Sequence, residues 1–346
     1  MTDPVIETFP LGMPWATVDP FLFCVHHHDD YPAGDDQLAP AAPLDDRDLG
    51  QDFSGLDGWS MYHGQRVPGF PQHPHRGFET VTFVREGLID HSDSLGAAAR
   101  FGTGDTQWLT AGGGIVHCEM FPLLRRTEPN PLELFQIWLN LPAEDKLVEP
   151  HFAMLWNEDT PRHEVRDELG RRAVVTVVAG RFAGRTPAPP PPHSWAARPD
   201  ADVAIWHLAL DAGAALELPP TAGPDTVRTL YVFAGSGLEI GGRSIPAGTG
   251  AVVRGTEPLT VVGGAEGAEV LVLQGRPIGE PVAQYGPFVM NTEAEIHQAF
   301  ADYRRTGFGG WPWPTDDPNH GPDRGRFARH VDGHLDEPRT AAVTDA

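Results

Sequence analysis

An all-β chain of two domains, finished by one short helix, is the fold class this sequence predicts. Three observations carry it. At 346 residues the chain exceeds what one hydrophobic core usually serves, so two domains are expected. Its 39 Gly and 35 Pro accompany short apolar runs, the pattern of many turns between short strands. The stretch TVTFVREG at 80–87 is echoed by TLYVFAGSG at 229–237, each followed by a Gly-rich turn and another strand, as duplication of one β unit would leave it.

In chain order, a first domain over residues 1–150 shows alternating or apolar runs bounded by glycines at Thr80–Ile89, Gly102–Leu109 and Leu132–Leu141. The polar stretch that follows contains Pro161 and reads as an interdomain connection over 151–172. The second domain, 173–288, repeats the rhythm at Ala173–Ala179, Val203–Leu210, Thr229–Phe233 and Glu269–Leu273. The run PAPPPP at 187–192 has the composition of a motif for a proline-binding partner, but inside a strand-rich domain it reads as a stiff loop. Within 289–310, Thr292 and Glu295 have capping-box spacing; Ile296, Ala299, Phe300 and Tyr303 share a helical face, and Gly307 stops the pattern. The polar segment 311–346 is expected to be a loose tail or one laid over the surface.

Charge narrows the partners. The formal net charge is −23, from 48 acidic against 25 basic residues, and Lys146 is the only lysine. A phosphate-binding surface would have to be assembled locally from Arg, so no direct nucleic-acid partner is expected. The opening MTDPVIETFP is acidic and lacks an apolar core, and no stretch is long enough to span a bilayer. A cytoplasmic protein with no membrane partner is the expectation. Two cysteines, Cys24 and Cys118, are too few for a disulfide framework and are expected as free thiols.

The chemistry concentrates in two segments, FPQHPHRGFETVTFVREG at 70–87 and GDTQWLTAGGGIVHCEM at 104–120. Residues two apart on a strand point the same way, so His73 pairs with His75 and His117 with Glu119. Either pair alone is weak in a chain with 16 His. Brought together by a barrel, they would present three imidazoles and a carboxylate to one point, a set suited to an octahedral first-row metal. Cys118 would then point outward.

These segments, with GEPVAQYGPFVMNT at 279–292, resemble the signature segments of pirin-like proteins, members of the cupin superfamily built from two tandem double-stranded β-helix or jelly-roll barrels. The resemblance runs from roughly Pro20 to Gly309, interrupted by an extra stretch between about Tyr31 and Trp59. It implies metal ligands at His73, His75, His117 and Glu119, with iron(II) as the metal and Mn, Co, Ni, Cu or Zn as substitutes. Many other cupins use the glutamate of the first motif, here Glu79; in pirins the role passes to the second, here Glu119. Glu79 is then expected to orient Arg76 or a ligand imidazole.

Bacterial pirins further imply quercetin 2,3-dioxygenase activity, with Glu119 as catalytic proton acceptor. Phe70, Phe78 and Trp108 are candidate pocket walls for a small aromatic substrate, set against a plain core role. Other pirins imply instead a non-enzymatic, iron-dependent redox sensor that binds a transcription factor or metabolic enzyme. A zinc isomerase acting on a phosphorylated sugar would need basic groups, and Arg76 is the only one inside the motifs. The second barrel has PPTAGPDTVR where an HxH would stand and is expected to be metal-free. His193, His207 and the HHHDD cluster from His26 to Asp30 read as packed or exposed, with a weak secondary site at His26–His28 as the alternative.

Overall fold

The computed structural model describes residues 3–339. In chain order the strands are Val5–Pro10 (β1), Phe21–Tyr31 (β2), Gly69–His75 (β3), Phe78–Glu86 (β4), Leu88–Asp93 (β5), Ala98–Gly102 (β6), Thr106–Thr110 (β7), Ile115–Met120 (β8), Asn130–Asn140 (β9) and His151–Leu155 (β10). They continue as Arg162–Arg166 (β11), Arg172–Ala179 (β12), Ala204–Leu210 (β13), Ala215–Leu218 (β14), Val227–Gly235 (β15), Leu238–Ile240 (β16), Arg243–Ile245 (β17), Thr249–Val253 (β18), Leu259–Gly263 (β19) and Ala268–Gly275 (β20). Ala283–Tyr285 (β21), Phe288–Met290 (β22), helix α1 (Glu293–Thr306), Phe327–Arg329 (β23) and Leu335–Asp336 (β24) complete the set. The expected all-β class with a short C-terminal helix is what the chain adopts.

Two compact units divide these elements. One comprises residues 26–136, 143–158 and 280 onward; the other takes the N-terminal residues through 25, 137–142 and 159–279. Where one connection over 151–172 is expected, the chain passes between the units five times, after residues 25, 136, 142, 158 and 279, and strand pairing accompanies these passages. β1 pairs antiparallel with β18, from Val5 opposite Val253 to Pro10 opposite Thr249. The supposed connection supplies β10, paired with β7, and β11, paired with β12. Edge strands with unpaired N–H and C=O groups recruit whatever extended chain reaches them.

The sequence echo has a topological counterpart. In the first unit one sheet runs β10-β7-β4-β9-β2; in the second unit β1-β18-β15-β20-β13 runs the same way before adding β12 and β11. The echoed strands β4 and β15 hold the same central place, and each ends in a turn with a glycine at positive φ, Gly87 and Gly237. Gly87 thus splits the expected strand Thr80–Ile89 into β4 and β5. The second unit closes on an apolar cluster that includes Val175, Trp206, Leu230, Ile240 and Val272.

In the first unit the facing sheet is β24-β23-β6-β5-β8-β3. Its interior collects Tyr31, Val84, Ile89, Phe101, Leu109, Leu132 and Leu134, the alternate residues of strands whose other face points away. Helix α1 begins as the sequence predicts. Thr292 and Glu295 form a reciprocal capping box, and Gly307 caps the C-terminus at φ 57°, a left-handed conformation that glycine adopts without a Cβ penalty.

The polar tail is laid down rather than loose. β23 extends the sheet edge along β6, and buried Arg100 holds Asp90 through two bonds of 2.6 Å while donating to the Gly321 and Arg324 carbonyls. The last seven residues of the expected tail lie outside the described residues. The segment 187–192 is irregular, as a loop. No helix among the described residues is long and apolar enough to cross a membrane.

Candidate metal centre

The HPHRG turn sets the first half of the site. Gly77 sits at φ 85°, and a Cβ there would lie 1.9 Å from the Val289 carbonyl oxygen, so glycine is required both for the backbone conformation and for close approach. This turn carries the chain from β3 in one sheet to β4 in the other. β3 pairs antiparallel with β8, placing His73 opposite His117 and Phe70 opposite Glu119, with a bulge between Phe70 and His73. The extra residue rephases the strand, so Phe70 and His73, three apart, share a face.

The potential ligand atoms of His73, His75 and His117 all lie within 4.8 Å of one another. Ring centroids are 4.5 Å apart for His73 and His117, 4.8 Å for His73 and His75 and 4.9 Å for His75 and His117. Burial, reinforced by the neighbouring imidazoles, pushes all three pKa values down, His73 to about 4 and the others well below the ordinary value. All three are therefore neutral at physiological pH, the form that ligates. His73 Nδ1–H donates to the Pro71 carbonyl at 2.8 Å, which leaves Nε2 with its lone pair. The Pro287 carbonyl bonds the His75 ring. His117 is fully buried with neither ring nitrogen hydrogen-bonded; an imidazole in that state is costly unless something else binds it. A divalent metal fits this donor set.

Glu119 lies on the same face but its carboxylate is engaged elsewhere. Gln136 Nε2 donates to Oε2 at 3.0 Å, and the Thr82 hydroxyl lies 3.2 Å from Oε1. Burial raises its pKa, partly offset by His91, Thr82 and Gln136. His91 stands opposite Glu119 on β5, its ring 5.4 Å from that of His117 and its Nε2 3.3 Å from Asp93.

The other candidates separate by strand phase. Phe78 packs against His75 at 5.1 Å, and Phe70 meets His73 at 6.4 Å. Trp108 does not line the pocket. It pairs with Val81 while Gln107 pairs with Thr82, so it is buried on the face turned away from the imidazoles. Glu79 shares that outer face, where Thr110 donates to it at 2.7 Å. Arg76 binds Asp302 of α1 at 2.9 Å and anchors the helix. Cys118 points outward as expected, its Sγ 4.0 Å from the Pro318 carbonyl of the tail. In the HHHDD cluster, His26 pairs with Glu133 at 2.9 Å.

Sequence reasoning missed Thr82, His91 and Gln136. Only Gln136 carried a signal, as a polar residue on the same strand phase as Leu132 and Leu134.

Facing jelly-roll-like sheets with three imidazoles drawn together, those of His75 and His117 buried, are the arrangement of a cupin with a potential metal site. Residues 43–139 match the family described as Pirin, and residues 205–309 match the Pirin C-terminal cupin domain. A Pseudomonas aeruginosa protein carrying the name "Putative quercetin 2,3-dioxygenase" is 37% identical over 70% of this chain and 80% of its own length. Human pirin is 32% identical over 71% of this chain and 81% of its own length. In fold, a crystal structure of quercetin 2,3-dioxygenase from Acinetobacter baumannii superposes with a TM-score of 0.68 at 24% identity, covering 89% of this chain and all but 1% of the other, which is covered to 99%. The chain belongs to the pirin family.

Proposed function

We propose that this chain holds one divalent metal ion, iron(II) in the cell, through His73, His75 and His117 with Glu119 completing the set, and that it opens flavonols such as quercetin with dioxygen. The observation that supports this most is the convergence of three neutral imidazoles, two of them buried and one of these with both ring nitrogens lacking a protein partner. When bound, such an ion supplies Lewis-acid polarisation of a substrate oxygen and one-electron chemistry with dioxygen.

The chain's own groups have separate tasks. Glu119, its pKa raised by burial, is the acceptor for the proton of a flavonol hydroxyl, and Gln136 and Thr82 hold its carboxylate ready. Phe70 and Phe78 flank the imidazoles and exclude water from the reacting ring. Relatives whose names refer to quercetin 2,3-dioxygenase support the substrate class.

Anaerobic reconstitution with iron(II), followed by quercetin and oxygen, tests the reading. Loss of flavonol absorbance should accompany release of carbon monoxide, and the His75→Ala variant should do neither. Equal rates for parent and variant across iron, manganese, cobalt, nickel and copper would remove it.

A further inference from the structure

A second cluster of buried polar side chains lies beside the imidazoles and has no part in holding them. His27, Asp29 and Tyr62 are exposed by only 6%, 2% and 4%. His27 and Asp29 stand on the inward phase of β2, the terminal strand of its sheet, while β3 is the terminal strand of the facing sheet. Tyr62 comes from the long connection between those two strands. Its φ of 56° is a left-handed conformation that a bulky residue holds only when its surroundings fix it.

The hydrogen bonds of this cluster have a fixed direction. Tyr62 O–H donates to Asp29 Oδ2 at 2.7 Å, and the Ser60 amide donates to the other oxygen at 2.9 Å. Having spent its proton, the phenol oxygen accepts from His27 Nδ1–H at 2.9 Å. The ring therefore carries its lone pair on Nε2, which faces outward from the chain of bonds as an acceptor. Burial supports the neutral form, lowering the His27 pKa to about 3.

Aromatic rings join this acceptor to the imidazole triad. Tyr62 stacks on Phe70 at 5.2 Å and 27°, and half-exposed Phe53 meets Tyr62 and Phe70 at 5.4 and 6.5 Å. Phe70 in turn lies 5.9 Å from His27 and 6.4 Å from His73. A flat ring laid on this wall would have one edge toward His73 and another toward His27.

We propose that His27, oriented by Tyr62 and Asp29, accepts a hydrogen bond from a phenolic hydroxyl of a planar aromatic ligand and so selects polyhydroxylated rings beside the imidazole triad. An acceptor of fixed tautomer favours a hydroxyl donor over a carboxylate or phosphate, which offers no proton. The inference rests on the aromatic-substrate reading above, but it concerns binding and not turnover.

Anaerobic titration of the nickel-loaded protein with quercetin, read by the shift of flavonol absorbance, tests it. His27→Leu should weaken binding about tenfold with metal content unchanged, and His27→Gln, which keeps an acceptor, should recover most of that loss. Tyr62→Phe, which releases the tautomer while leaving the ring, should weaken binding about threefold. Flavonol methyl ethers should bind parent and His27→Leu alike. Equal quercetin affinity in the parent and either His27→Leu or Tyr62→Phe overturns the proposal, as does an equal loss for the methyl ethers, or a parent that binds no flavonol. Quercetin bound in this pattern without turnover would leave it standing and remove only the dioxygenase reading.

Discussion

His73 stands directly across from His117 in the β3–β8 pair, their rings 4.5 Å apart. One bulged residue, between Phe70 and His73, makes that pairing coexist with Phe70 opposite Glu119. A regular strand would have turned Phe70 to the opposite face from His73. The bulge is thus what gives the imidazole triad an aromatic neighbour.

Removing one corner of the triad should abolish tight metal binding. His117→Ala is expected to lower affinity by more than the roughly 10–100-fold that loss of an outer partner costs, and Gln136→Leu, which frees Glu119, by about that amount. Metal content after dialysis against a graded chelator series reads both. Retention of a full equivalent of metal by His117→Ala would refute the ligand assignment.

Acid should destabilise the protein partly through His27. Its pKa is about 3 in the fold against the ordinary 6.5, so between those values the unfolded chain binds the extra proton. The stabilising contribution is complete above about pH 6.5 and is lost as pH falls toward 3. On going from pH 7.5 to 4.5, His27→Leu should lose about 2.7 kcal/mol less stability than the parent, from roughly 1.4 kcal/mol for each of the two pH units below 6.5. Urea unfolding of the metal-free proteins at both pH values measures the difference; parallel losses would count against it.

The tail should protect a thiol. Cys118 is wholly buried, and burial pushes its pKa far up, so slow alkylation is expected of the intact chain. Its Sγ faces Pro318, and removal of residues 312–346 uncovers it. Mass-mapped iodoacetamide labelling should show Cys118 reacting at least tenfold faster in the truncated protein while Cys24 stays inert. Unchanged labelling of Cys118 would show that the tail does not cover it.

Helix α1 should respond to its caps independently of the metal. Thr292→Ala removes the bond to the Glu295 amide and is expected to cost about 1 kcal/mol. Gly307→Ala places a Cβ at φ 57° and should cost roughly 1–2 kcal/mol. Denaturant midpoints at constant m-value read both, and a null result for Thr292→Ala would mean that the box contributes nothing net.

Strand periodicity and turn glycines made the β class, most strands, the capped helix and the His73, His75 and His117 grouping legible, because each is a local rule acting over a few residues. The pairing of β1 with β18 and the recruitment of 151–155 as β10 were not legible. Their segments look polar or undistinguished until a sheet edge presents hydrogen-bonding groups to them. Residue type leaves Trp108 open between pocket wall and core; its register with Val81 turns it away from the imidazoles, because a one-residue difference in phase decides the face.

The sequence alone determined which side chains are available as ligands and that two pairs of them project from strands at two-residue spacing. Only the tertiary structure decided that three imidazoles meet while the Glu119 carboxylate is held by Gln136 and Thr82, and that a bulge and the β2–β3 connection bring Phe70, Tyr62 and His27 to the same place. The physical reason is that side-chain alternation is fixed by the local backbone, whereas convergence depends on strand register and sheet packing between residues far apart in the chain.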